Sequence, residues 1–191
     1  MKKQLRLAAT ILAIIIVFCV MVFFSESLAS NETVIHLTDK LGYLGVTIVA
    51  IIAGLNTVIP LPAATFTPIF QSAGLALPFI IFFLALGTLI ADSIGFLLGH
   101  VSKDLVETKY PKLFSFITNI QENHHRLILP VVTGYAAFVP FPNEVLLIPL
   151  ALAGIKFRYL LLPLIVGNII HQAVLIFGID GLRQLLSQIT L

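Results

Sequence analysis

Across 191 residues, hydrophobic side chains make up 59% and charged ones 10%, with a formal net charge of +2. Soluble domains carry roughly a quarter charged residues, so a bilayer is the natural solvent for this chain, and the small positive excess does not suggest a nucleic-acid partner. The single cysteine, Cys19, lies in an apolar run without a partner in the chain and carries no information on redox compartment.

In chain order, Lys2, Lys3 and Arg6 precede the apolar run Leu7–Phe24. We read it as an uncleaved transmembrane helix, because a signal h-region is usually about 7–15 residues; a signal peptide cut near Ser27-Leu28-Ala29 is the alternative. Ser25–Lys40 is polar, so residues 1–40 form an N-terminal helix and an external loop. Leu41–Gly74 is apolar but broken by Asn56, Pro60, Pro62, Pro68 and Gly74, and Leu75–Gly99 is a continuous span. Residues 41–100 make a first repeat. The polar connector, residues 101–126, contains Pro111–Ile120, predicted as a short amphipathic helix on the cytoplasmic surface. Leu127–Gly154 is apolar and broken by Pro130, Pro140, Pro142 and Pro149. Tyr159–Ile179 is the last span, so residues 127–180 make a second repeat, followed by a tail, residues 181–191.

The repeats match over residues 60–99 and 140–179 without a gap. Pro60-Leu61-Pro62 falls on Pro140-Phe141-Pro142, Ala73-Gly74 on Ala153-Gly154, and Gly87 on Gly167. A duplicated apolar segment interrupted by prolines is the mark of a transporter with its site between the halves. Each broken segment is read as a re-entrant hairpin with Pro-x-Pro near its tip, since backbone groups freed by proline cannot face lipid.

With the N-terminus cytoplasmic, the first span exits, hairpin one enters from outside, and Leu75–Gly99 returns. Lys2, Lys3, Arg6, Lys103, Lys109, Lys112, Arg126, Lys156 and Arg158 then lie inside, and only Lys40 and Arg183 outside. This obeys the positive-inside rule and gives the repeats opposite orientations. Three full crossings per half would give the same parity. The expected fold is an all-α integral membrane protein of the cytoplasmic membrane: an inverted repeat of re-entrant hairpin plus transmembrane helix, with an extra N-terminal helix.

Asp92 lies within a span, where an insertion cost of about 2.5–3.5 kcal/mol turns a carboxylate toward a cavity or a partner; the alternative is an acid near the inner interface that snorkels to water. It sits beside a stripe of small residues, Gly87, Ala91, Gly95 and Gly99, that admits a close helix. Glu144 follows the second Pro-x-Pro at the start of a helix, whose dipole favours an anion. It is a candidate to bind protons or a cation or to organise Arg126, Lys156 or Arg158, or else a capping acid in a wet vestibule. Asn168 and Gln172 share a helical face next to His171, and Gln172 stands where the first repeat has Asp92. His171 is a candidate proton relay, and an interhelical hydrogen-bonding cluster is the alternative. Asn56 and Thr57 are expected to satisfy backbone at the first turn. Arg126 is either an anionic head-group contact or a plain positive-inside residue. His124-His125 with Glu122 does not make a metal site, and no nucleophile or phosphate loop is present. No cofactor, metal or enzyme activity is expected.

Pro60-Leu61-Pro62, Ala73-Gly74 and Gly87-Thr88-Leu89-Ile90-Ala91-Asp92-Ser93-Ile94-Gly95-Phe96-Leu97-Leu98-Gly99-His100, with Phe138-Val139-Pro140-Phe141-Pro142-Asn143-Glu144, resemble the DedA (VTT, SNARE-associated) family over roughly residues 42–180. Ala91, Phe96 and His100 replace that pattern's Gly, Tyr and Arg. The acid usually near the first Pro-x-Pro is missing, and Leu127–Val139 lacks the expected arginines. The resemblance implies opposed re-entrant hairpins and lipid transport between leaflets, with Asp92 as the helix acid. The expected substrate is an anionic polyprenyl (undecaprenyl) phosphate or, in a general scramblase, a phospholipid, with protons as possible coupling ions. A proton-coupled carrier of a small solute or ion and a membrane assembly factor are the alternatives. The small-residue stripe suits packing within one chain or in a homo-oligomer.

Overall fold

A computed structural model describes residues 31–55, 62–139 and 141–189, with the side chains of 113, 116–126, 182–183 and 185–189 outside the description. The proposed first span Leu7–Phe24, together with Asn56, Thr57, Pro60, Pro140 and the side chain of Arg126, lies outside the described residues.

All the regular structure described is helical. Helix α1 (Glu32–Gly54) opens on Asn31, whose Oδ1 accepts from the N–H groups of Thr33 and Val34 at 3.0 and 3.2 Å. The helix thus starts inside the polar stretch read as a loop. It kinks at Gly42, where φ is 53°, a value that glycine adopts without a Cβ penalty. A 3-10 turn, Ala63–Phe66, leads into α2 (Thr67–Ser72), and α3 (Leu77–Val101) follows. Helix α4 is Lys103–Lys109, α5 is Pro111–Phe138, α6 is Glu144–Leu152, and α7 is Leu161–Ile189 after a 3-10 turn at Phe157–Tyr159. Among the described residues, three helices, α1, α3 and the Leu161–Gly181 part of α7, are long and apolar enough to cross a membrane.

Two sequence expectations shift. The connector helix and the first arm of the second hairpin are one continuous helix, α5, running through Pro130. A proline costs one backbone rung and kinks a helix without ending it when flanking turns hold. The tail is likewise the end of α7.

Corresponding turns in the two halves carry the same hydrogen bonds. Leu75 N donates to Phe70 O and Gly74 N to Gln71 O; eighty residues on, Ile155 N donates to Leu150 O and Gly154 N to Ala151 O. This is the Schellman pattern. It requires the left-handed glycine found at both places, with φ of 79° at Gly74 and 82° at Gly154.

Packing follows the small residues. A Cβ added at Gly87 would lie 2.5 Å from Ala50 Cβ and 2.6 Å from Thr47 O of α1. One added at Gly167 would lie 2.6 Å from Ala136 Cβ and 2.9 Å from Thr133 O of α5. Residue numbers rise together across both contacts. Gly54 also meets Ala91, and His171 meets Ala137, so α1 runs parallel to α3, and α5 parallel to α7. One apolar core gathers Val46, Ala50, Phe70, Ile80, Leu84 and Ile176, and a second Phe96, Val132, Ala136, Leu147, Leu160 and Leu164. Leu44, Ile48, Ile52, Phe79, Phe82, Leu97, Leu98, Val174 and Phe177 point outward, as a lipid-facing surface requires.

Candidate functional site

Asp92 is only 2% exposed. Its Oδ2 accepts from Asn168 Nδ2 at 2.8 Å and from Asn143 Nδ2 at 3.1 Å, and Asn143 Nδ2 also lies 3.1 Å from Asn168 Oδ1. The triad joins α3, the start of α6 and α7. Asp92 stands three residues past the middle of α3, about 4.5 Å along its axis. Its carboxylate turns into the protein, so the snorkelling alternative is not the arrangement adopted.

Asn143 occupies the N-cap position of α6, yet its side chain makes no capping bond. The amide is diverted to Asp92 and Asn168. Forgoing a cap of about 1 kcal/mol in favour of a buried carboxylate is the trade expected where a charge must be satisfied. Glu144, next in the chain and 8% exposed, packs its Cγ on the bare Cα of Gly95, where a Cβ would push the Glu144 side chain aside.

One turn from Asp92 on α3, the Thr88 hydroxyl accepts from Gln172 Nε2 at 3.2 Å and donates to Leu84 O at 3.0 Å. The pairs Asp92–Asn168 and Thr88–Gln172 form two rungs between α3 and α7. Numbers ascend on one helix as they descend on the other, so these helices are antiparallel. Thr88 stands eighty residues before Asn168, and Asp92 eighty before Gln172; each rung therefore pairs one repeat position with the other's counterpart.

The small-residue stripe divides its work. Gly87 and Ala91 receive α1, whereas Gly95 and Gly99 receive α6; a Cβ at Gly99 would lie 2.9 Å from Ile148 Cα. The whole stripe is used within one chain.

His171 is set apart from Asp92. It faces α5, where Nδ1 donates to Ala137 O at 3.2 Å. Tyr135 O–H reaches Pro142 O at 3.4 Å across the break between α5 and α6. Of the basic candidates, Lys156 and Arg158 are exposed at the turn before α7. Arg158 Nη2 donates to the Tyr159 hydroxyl at 2.8 Å, and this hydrogen bond, with the guanidinium charge, holds the phenol below its usual range. Half-buried Lys103 leans over the neighbouring turn that ends α6, since a Cβ at Gly154 would lie 3.5 Å from its Nζ.

Sequence reasoning singled out Asp92, Glu144, Asn168 and Gln172 but missed Asn143 and Thr88 as participants. Thr88 was detectable as the repeat counterpart of Asn168. Asn143 drew no role of its own, because nothing local distinguishes a diverted amide.

Compared with known proteins, the chain matches no family model, no curated protein and no solved structure.

Proposed function

We propose that this chain is a membrane transporter of the DedA-like kind that moves a lipid, with an anionic polyprenyl phosphate as first candidate, between the leaflets of the cell membrane. The observation that carries the reading is the buried carboxylate Asp92, held by the amides of Asn143 and Asn168 where α3, α6 and α7 meet. Acids at such a depth are expensive and mark ion or substrate pathways.

Helix lengths support re-entrant hairpins. Helix α6 has nine residues, about 14 Å, against a hydrocarbon core of about 30 Å. The 3-10 turn and α2 together reach about 17 Å. Beyond the Gly42 kink, the charge-free part of α1 reaches about 18 Å. Parallel packing of α1 with α3, and of α5 with α7, suits arms that enter and leave on one side before each span. The antiparallel α3–α7 rungs suit an inverted repeat about their crossing. In this reading the hairpin tips part the bilayer, Lys103, Lys156 and Arg158 draw the phosphate, and Asp92 and Glu144 take up a proton or cation during the cycle. The tail stays in lipid, so no sealed pocket is needed.

A second reading, a proton-coupled carrier of a small solute, rests on how closed the site is. Asn168 is 1% exposed, which suits an ion better than a head group. Leaflet exchange in liposomes, with labelled undecaprenyl phosphate beside a labelled glycerophospholipid, separates the readings. Selective movement of the polyprenyl lipid is expected, and movement of both would make the protein a general scramblase. If neither moves while a known scramblase works in parallel, the lipid reading fails. Lipid-independent, pH-dependent uptake of a soluble substrate would then favour the second.

A further inference from the structure

Gln172 is 4% exposed, and its Oε1 has no hydrogen-bond partner among the described residues. Its Nε2 is occupied by Thr88, whose own proton goes to Leu84 O. Turning the amide over does not resolve the mismatch. Thr88 would then donate to the oxygen, and the Nε2 would be left unpaired. Buried side-chain oxygens almost always have a partner, so each exception requires an explanation.

The repeat supplies one. Asp92, the counterpart of Gln172, receives a second amide from Asn143. The residue eighty before Asn143 is Ala63, whose methyl group cannot donate. The second half-site therefore presents an acceptor where the first presents a completed bond. One turn along α3 from the Thr88 rung stands the Asp92 carboxyl group, whose partners are neutral amides. A buried acceptor one turn from a carboxyl group that has only neutral amide partners suits a cation rather than an anion.

We infer that the α3–α7 crossing binds an alkali cation between its two rungs, with Gln172 Oε1 and the Asp92 carboxylate as ligands. The rungs are four residues apart, about 6 Å along the axis. One carboxylate with neutral oxygens matches a singly charged hard ion. Among the described residues no three His, Cys, Asp or Glu side chains converge as a softer or more highly charged metal would require. This rests on and deepens the proposed role of Asp92 in taking up a proton or cation, by naming the class of ion and a second ligand, and the binding can be read whatever the transported substrate.

The test is thermal unfolding of the purified full-length protein, followed by circular dichroism. Sodium, lithium or potassium chloride replaces choline chloride at constant ionic strength and pH. An alkali ion should raise the midpoint saturably, on the order of 5–10 °C at a hundredfold excess over Kd. Gln172→Leu and Asp92→Asn should each abolish the dependence, whereas Gly178→Ala should keep it. Identical midpoints in all alkali salts and choline would overturn the site, leaving water as the partner of Gln172. So would a shift that survives in Gln172→Leu, or one that follows pH alone. Should Gln172→Leu not fold, Gln172→Asn replaces it, and the wild-type salt dependence still decides. Leaflet exchange is read separately: a missing cation effect leaves lipid transport standing, and absent lipid movement leaves the cation shift standing.

Discussion

Asn168 donates to Asp92 at 2.8 Å across the α3–α7 crossing, joining one residue from each of the two segments that match in sequence. The reciprocal rung, Gln172 to Thr88 at 3.2 Å, exchanges the roles of the two repeats. One half contributes a charge and the other a neutral amide at the equivalent position. The two rungs thus link corresponding sequence positions but differ in charge, and the predictions below turn on that difference.

Removing the charge without changing the shape tests the carboxylates. Asp92→Asn and Glu144→Gln should each lower leaflet exchange by about tenfold or more, the effect of roughly 1.4 kcal/mol in the transport cycle. Helical circular dichroism and size-exclusion profiles should stay as in the wild type. Full exchange by both variants would remove these residues from the mechanism.

Asn168→Ala deletes the shorter of the two bonds to Asp92 and leaves a buried carboxylate with one amide. A destabilisation of about 1–3 kcal/mol is expected, read as a lower midpoint in denaturant-induced unfolding in detergent. Asn168→Asp should be worse, because two buried carboxylates would then share one contact. A midpoint for Asn168→Asp at or above that of Asn168→Ala would contradict the assigned hydrogen bond.

Glycines of the long helices should differ in kind, two in the stripe and one, Gly178, outside it. Gly87→Val places a branched side chain against Thr47 and Ala50 of α1 and should cost about 1–3 kcal/mol through overpacking. Gly95→Ala strikes Glu144 itself, so it should impair transport more than it impairs stability. Gly178 meets nothing within 4 Å, and Gly178→Ala should be neutral or stabilising by up to about 1 kcal/mol. Comparing exchange rates with unfolding midpoints across the three variants checks the pattern.

Gly74 and Gly154 hold the left-handed turns that end α2 and α6. Alanine at either should cost about 1–2 kcal/mol, with similar values at the two sites because the hydrogen-bonding pattern is shared. A double variant near the sum of the singles would show the turns acting independently; unfolding midpoints of the singles and the double measure this.

Legibility varied with the range of the cause. The apolar runs, proline breaks and Ala-Gly turns are local, and they marked the helices and the corresponding turns. Asp92, Glu144, Asn168 and Gln172 stood out because polar groups are rare in such surroundings. Boundaries were less legible. Asn31 starts α1 within a polar stretch and α5 runs through Pro130, because capping and continuous packing outweigh composition at helix ends.

The sequence alone determined the all-helical character, the membrane as solvent, the eighty-residue correspondence and the short list of polar residues, since periodicity, hydropathy and backbone restriction are written residue by residue. Only the tertiary structure decided which of those residues meet. Asn143 leaves its cap for Asp92, His171 turns away to α5, the glycine stripe divides between α1 and α6, and Gln172 keeps an acceptor with no partner among the described residues. Each outcome depends on a partner about 25 to 90 positions away in the chain. A side chain's hydrogen-bond partner is set by the crossing of helices, which no local pattern encodes.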